Sequence, residues 1–182
     1  RIDGTNATII GDQPGEFVAD RNNISRTWMD HGAWPWLTTK EYIHQSGDID
    51  FLFEEQTYFK DALMNRSAKV DDKWDDTYGN LLKTEKGGIY KGSLLEHLLI
   101  QNMSIFYNVG AHNILKLEDA DWNDALDMAH NKGESVPFTA LYTSNLRDLS
   151  KMLQDIKVKQ NISTISVAEE LLVLLEAVDL GD

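Results

Sequence analysis

The chain of 182 residues contains no cysteine, so it has neither a disulfide framework nor a thiolate zinc site. Basic charge is scarce: 17 Lys and Arg stand against 30 Asp and Glu, a net charge of -13. That balance repels nucleic-acid phosphates and anionic lipid, so neither nucleic acid nor membrane is an expected partner. The acids are spread along the chain, as on a solubilising surface, and a local basic pocket for a small anion stays compatible with them. Long apolar runs are missing too. The longest near the end, ELLVLLEAV at 170–178, is broken by acids and falls well short of the roughly 20 residues a bilayer requires; it reads as a buried helix. No methionine, charged n-region or apolar h-region precedes IDGTNATII, which reads as a processed or partial product. Asn-x-Ser/Thr sequons occur at Asn6, Asn23, Asn65, Asn102 and Asn161 and matter only in a secreted protein. Asn102 lies in an apolar helical pattern, which argues against glycosylation there, and the expected location is cytoplasmic.

With 42% hydrophobic residues, the chain has the size and composition of one domain with a sizeable core. Residues 1–30 are loop-rich, with turn signals in GDQPGE. WPWLTTKEYIHQSGD predicts a helix with Pro35 in its first turn and Gly47 as its stop. DIDFLFEEQTYFKDAL predicts a second helix, capped by Asp48 or Asp50, that forms a helical hairpin with the first. Residues 65–91 read as an exposed charged excursion. SLLEHLLIQNMSIFYNVG is apolar at helical spacing from Ser93 and predicts a helix ended by Gly110. Pro137 marks another helix start, and Ser166 with Glu169 three residues later forms a capping box for a last one. Polar and apolar residues nowhere alternate convincingly. The expectation is an all-α chain of about five or six helices in successive hairpins.

Residues 117–129, LEDADWNDALDMA, gather Asp119, Asp121, Asp124 and Asp127 around Trp122 and Asn123. Asp119, Asp121 and Asn123 match the first three ligand positions of a helix-loop-helix calcium site, but Asp124 occupies its glycine position and His130 its bidentate acid position. His31, His44, His97, His112 and His130 show no paired spacing on a helix face, so no metal is expected. A solvated turn would account for the aspartates but leaves the large aromatic among them without a reason. An indole face can pack on sugar C–H groups while Asp and Asn bind hydroxyls, and a partly desolvated acid beside it can protonate a glycosidic oxygen. Residue chemistry leaves that reading and a structural loop both open.

ADWND followed by GESV resembles the GDWND...GESVW signature of inverting disaccharide and oligosaccharide phosphorylases of glycoside hydrolase family 94. KGSLLEHLLIQNMSIFYNVGAHNILKLEDADWND looks like that family's helix with a Glu-His pair, its Gly-x-His turn and its acid-bearing loop. DHGAWPWLTTKEYIHQSGD looks like the earlier Asp/His, Trp and EYI...TGD segment, and the matches keep their order over roughly 28–155. The resemblance implies an (α/α)6 barrel of which residues 1–182 form a single segment, about half. It implies Asp124 as general acid, Trp122 and Asn123 in the sugar site, and Glu134 as a substrate-contacting or loop-structuring group. The implied reaction is inverting phosphorolysis of a β-linked oligosaccharide to a sugar 1-phosphate, with inorganic phosphate as co-substrate and no cofactor.

This sequence departs from the family in ADWNDALDMA, which lacks the glycine and methionine after the second aspartate, and in the proline of GESVPF. Sugar and linkage therefore stay open among cellobiose, cellodextrin, chitobiose and β-1,3-glucan types. The family's sugar-gripping Arg and Asp lie upstream of the matching region and its phosphate-binding residues downstream, and neither set is assigned within 1–182. The expected partner is the remainder of the same polypeptide, with a homodimer compatible, and the isolated segment is expected to be inactive. An inverting hydrolase, with Glu134 or Asp127 as base, and a non-catalytic helical carbohydrate-binding scaffold are the alternatives. Trp34 and Trp36 read as core aromatics that could instead wall a sugar site. Arg21, Arg26, Asp30 and His31 form a polar cluster before that helix, and Glu96 and His97 match the family pattern without a role derivable from sequence.

Overall fold

A computed structural model describes residues 1–6, 9–10, 17–18, 27–66, 68–118, 129 and 131–178. Helix α1 spans Trp34–Ser46, α2 Leu94–Ser104, α3 Val136–Lys159 and α4 Glu169–Val178. Between and before them lie three two-stranded antiparallel ribbons: β1 (Ile9–Ile10) with β2 (Phe17–Val18), β3 (Glu55–Thr57) with β6 (Lys91–Ser93), and β4 (Leu63–Met64) with β5 (Lys69–Val70).

The expectation of an all-α segment of an (α/α)6 barrel is therefore corrected: the described residues form a mixed fold of helices and short ribbons. The physical reason is strand length. Strands of two or three residues are too short to carry a period-two pattern, so they leave no trace in hydropathy. The largest departure falls on the expected second helix. After a 3-10 turn at Asp50–Phe53, the chain extends into β3 and pairs with β6, with Thr57 opposite Lys91. Helical spacing of Phe51, Phe53 and Tyr58 was outweighed by tertiary pairing: Leu82 N–H donates to Tyr58 O and Lys60 N–H to Asn80 O, both at 2.9 Å.

Helix ends follow local chemistry more closely. Pro35 lies in the first turn of α1, and Gly47 ends it in the left-handed conformation (φ 75°), where its N–H reaches Ile43 O at 2.8 Å. Ser93 caps α2 by accepting from the Glu96 N–H. Pro137 lies in the first turn of α3, whose cap is Ser135, accepting from the Phe138 N–H. Two expected ends shift. Helix α2 tightens into a 3-10 turn at Ile105–Tyr107, ahead of Gly110, and α4 begins at Glu169, three residues beyond Ser166.

Helix α2 contributes to two cores and the turn that follows it to a third. Leu95 and Leu98 pack with Trp36, Ile43, Leu52, Leu149 and Ile156, which joins α1, α2 and α3. Ile100 and Met103 pack with Tyr58 and Leu171 of α4. Ile105, just past α2, packs with Met29, Ala33, Leu115, Leu117 and Tyr142. Asn102 is fully buried, as its place in the apolar pattern suggests: its Oδ1 accepts from Asn145 Nδ2 of α3 at 3.0 Å, and Asn145 Nδ2 also reaches Ala33 O.

Among the buried acidic residues of the described chain, Glu96 is the most deeply enclosed. Glu96 is 1% exposed, and its carboxylate accepts from Tyr58 OH (2.7 Å), Tyr90 OH (3.0 Å) and the Ala168 N–H (2.6 Å). Burial, and then the hydrogen bond to Glu96, push the Tyr58 hydroxyl well above its ordinary pKa and that of Tyr90 up to about 12, so both stay protonated donors. This junction ties α2 to β3, β6 and α4. We predict that Glu96→Leu lowers unfolding stability by about 3 kcal/mol, because three buried or part-buried donors lose their acceptor. Urea denaturation would show a lower midpoint; an unchanged midpoint would contradict this role.

Candidate active site

The acidic segment hangs from a stem built by pairing its two flanks. Asn108 O accepts from the Lys116 N–H (2.9 Å), and Val109 faces Leu115, which closes a tight turn over 110–113 with Asn113 in the left-handed region (φ 58°). The outgoing strand then meets the returning one. Leu117 N–H donates to Gly133 O (2.9 Å), Ser135 N–H donates to Leu115 O (2.8 Å), and Lys116 bridges to Glu134. The flanks on either side of 119–128, Leu115–Leu117 and Gly133–Ser135, are thus paired with each other. Leu115 and Leu117 anchor that stem in the core beside Tyr142 of α3.

Each flank carries an acid with a specific partner. On the return side, Glu134 Oε1 accepts from the His112 N–H (2.9 Å) and Oε2 from His112 Nδ1 (2.5 Å). A carboxylate only accepts, so Nδ1 carries the ring proton. Gly110 makes the contact sterically possible, since a Cβ there would collide with the Glu134 carboxyl. The bonds from the His112 backbone and ring hold the Glu134 carboxyl below the usual glutamate range. On the outgoing side, Glu118 is buried and forms a bidentate pair with Arg66, Nε to Oε1 at 2.5 Å and Nη2 to Oε2 at 2.6 Å. Asn108 Nδ2 also donates to Glu118 Oε1 at 2.8 Å. Burial opposes the Arg66 charge, but Glu118 more than offsets it and raises the Arg66 pKa.

Asp119, Asp121, Trp122, Asn123, Asp124, Asp127 and His130 lie outside the described residues, as do Arg21 and Arg26. Of the sequence-derived site, the structure positions Glu134 and brings it against the Gly-x-His turn of 110–112, two motifs the sequence could not connect. Both Glu134 oxygens accept from His112 in the 110–113 turn. Arg66 and Glu118 escaped sequence reasoning because 52 residues separate them and an Arg in a charged excursion looks solvated.

The tryptophans divide. Trp36 is fully buried in the core, whereas Trp34 is half exposed and its indole N–H donates to Asp30 Oδ2 at 2.9 Å, while Asp30 Oδ1 is buried without a partner among the described residues. Glu96 belongs to the core junction. His97 stacks on Tyr58, centroids 3.7 Å apart, and burial holds its pKa below the usual value. Among the described residues, no group of three or more His, Asp or Glu is placed to hold a metal, and no helix is long and apolar enough to cross a membrane.

The catalytic domain of the glycosyl hydrolase 94 superfamily matches residues 64–173, a span that holds α2, the stem, the acidic segment and α3. The chain belongs to that superfamily, a class of carbohydrate-active enzymes. No curated protein matches the chain.

Sign follows from the depressed Glu134 pKa. Its contribution to the stem is present above the unfolded glutamate pKa and is lost as pH falls through the lower folded value. We predict that the Glu134 carboxyl carbon titrates below a reference glutamate peptide by NMR, and that Gly110→Ala returns it towards the reference. Titration at or above the reference would contradict the pairing with His112.

Proposed function

We propose that this chain, acting within a longer polypeptide, cleaves β-linked oligosaccharides by inverting phosphorolysis, with Asp124 as general acid. The observation that carries the reading is the superfamily match over 64–173, which spans both ADWND and GESV. In the reaction, Asp124 gives its proton to the leaving glycosidic oxygen as that bond breaks. Phosphate attacks the anomeric carbon from the opposite face, and the products are a sugar 1-phosphate of inverted configuration and the shortened saccharide. Trp122 serves as the stacking face for the sugar ring, Asn123 binds a hydroxyl, and Glu134 orders the loop. Because phosphate brings its own nucleophilic oxygen, one catalytic carboxylate is sufficient.

Hydrolysis would need a second carboxylate to activate water. Glu134 is poorly suited to that task, since both its oxygens already accept from His112. This counts against Glu134 as that base; Asp127, the other candidate, lies outside the described residues. The reading expects no cofactor and a cytoplasmic setting where inorganic phosphate is plentiful.

The test is product analysis on the full-length protein with a panel of β-linked gluco-oligosaccharides. In phosphate buffer, phosphorus and proton NMR should show an α-configured sugar 1-phosphate, with turnover rising with phosphate concentration. Free sugar alone, formed at the same rate without phosphate, would refute phosphorolysis.

A further inference from the structure

We propose that Arg66 is a positioning residue for the acidic segment, setting the outgoing direction of the loop through Glu118. This rests on the reading of Asp124 as general acid. The observation behind it is a chain of part-buried contacts that ends at Glu118, just before 119–128.

Arg66 is held at two points before it touches Glu118. Its N–H donates to Asp3 Oδ2 at 2.7 Å, its Nη1 lies 3.4 Å from Ser104 Oγ at the end of α2, and its backbone sits in the left-handed region (φ 53°). Asp3 is itself fixed by Thr5, whose N–H and hydroxyl both donate to Asp3 Oδ1, at 3.0 and 2.6 Å. Although burial works against its charge, these bonds keep Asp3 ionised at a pKa below the usual value. The guanidinium therefore arrives at Glu118 already oriented, with 11% of its side chain exposed and 7% of that of Glu118.

A bidentate fork fixes a carboxylate in angle as well as in distance, which a lysine ammonium cannot do. Glu118 immediately precedes 119–128, and Leu117 before it is pinned to Gly133. Glu134 is tied to His112 on the return flank, and Glu118 to Arg66 on the outgoing one. A proton donor misplaced by about 1 Å can lose on the order of 100-fold in rate.

Three variants of the full-length protein test this: Arg66→Lys, Arg66→Met, and the exchange Arg66→Glu with Glu118→Arg. By hydrogen exchange, Arg66→Met should speed exchange at least tenfold across 115–135 while α1 stays within twofold. By steady-state kinetics, Arg66→Met should lower kcat at least tenfold with KM within twofold. Arg66→Lys should recover less than a third of the lost kcat, and the exchange variant more than Arg66→Lys. Exchange that rises equally in α1, or not at all in 115–135, would overturn the proposal, as would full recovery by lysine. The hydrogen-exchange arm does not depend on the chemistry. A loop that loosens in Arg66→Met while Asp124→Asn keeps full activity would leave Arg66 as a loop anchor and refute the acid role instead.

Discussion

The carboxylate of Glu96, buried in the centre of the fold, is the constraint around which the other elements are arranged. A charge at that depth is tolerable only with its lone pairs occupied, and the donors come from Tyr58 next to β3, Tyr90 before β6 and the backbone just before α4. Gly92 of β6 must be a glycine for Glu96 to fit, since a Cβ would collide with its carboxyl. Three parts of the chain far apart in sequence thus meet on one side of α2. The opposite side of α2 packs against α1 and α3 through Leu95 and Leu98 and through the Asn102–Asn145 pair.

The site inherits its rigidity from that arrangement. The 3-10 turn that follows α2 places Ile105 in the core with Leu115 and Leu117, and the stem of the acidic segment grows from there. Ser104 at the end of α2 touches Arg66, and Asn108 just beyond touches Glu118. The acids flanking that segment have fixed partners, buried Glu118 on Arg66 and half-buried Glu134 on His112, and functional groups are often carried on segments held by a rigid scaffold.

Much of this was legible in the sequence where local chemistry decides the outcome. Pro35, Gly47, Ser93 and Pro137 marked helix ends because capping and proline geometry act within one turn. The superfamily was legible from ADWND and GESV, and the match over 64–173 agrees with it. The ribbons were not legible. Two or three residues such as Leu63–Met64 carry no period, and the segment around Tyr58 is extended because Leu82 and Glu96 bind it from afar. The expected second helix at 48–63, and with it the helical hairpin and the all-α reading, failed for that reason. Arg66 and Glu118 were invisible on the same grounds, since only the fold brings them together. Glu134 was found by its motif, yet its partner His112 required the structure.

A general acid in this setting does one job: it supplies a proton to an oxygen that would otherwise leave as a poor anion. Leaving groups that need no proton should not need the acid. The most direct test compares Asp124→Asn with the parent on two donors, the β-linked oligosaccharide and the β-glycosyl fluoride of the same sugar, each with phosphate. Loss of at least 100-fold in kcat on the oligosaccharide, with fluoride turnover kept within tenfold, is the predicted result. Equal losses on both donors, or full activity on the oligosaccharide, would contradict the assignment of Asp124 as the proton donor.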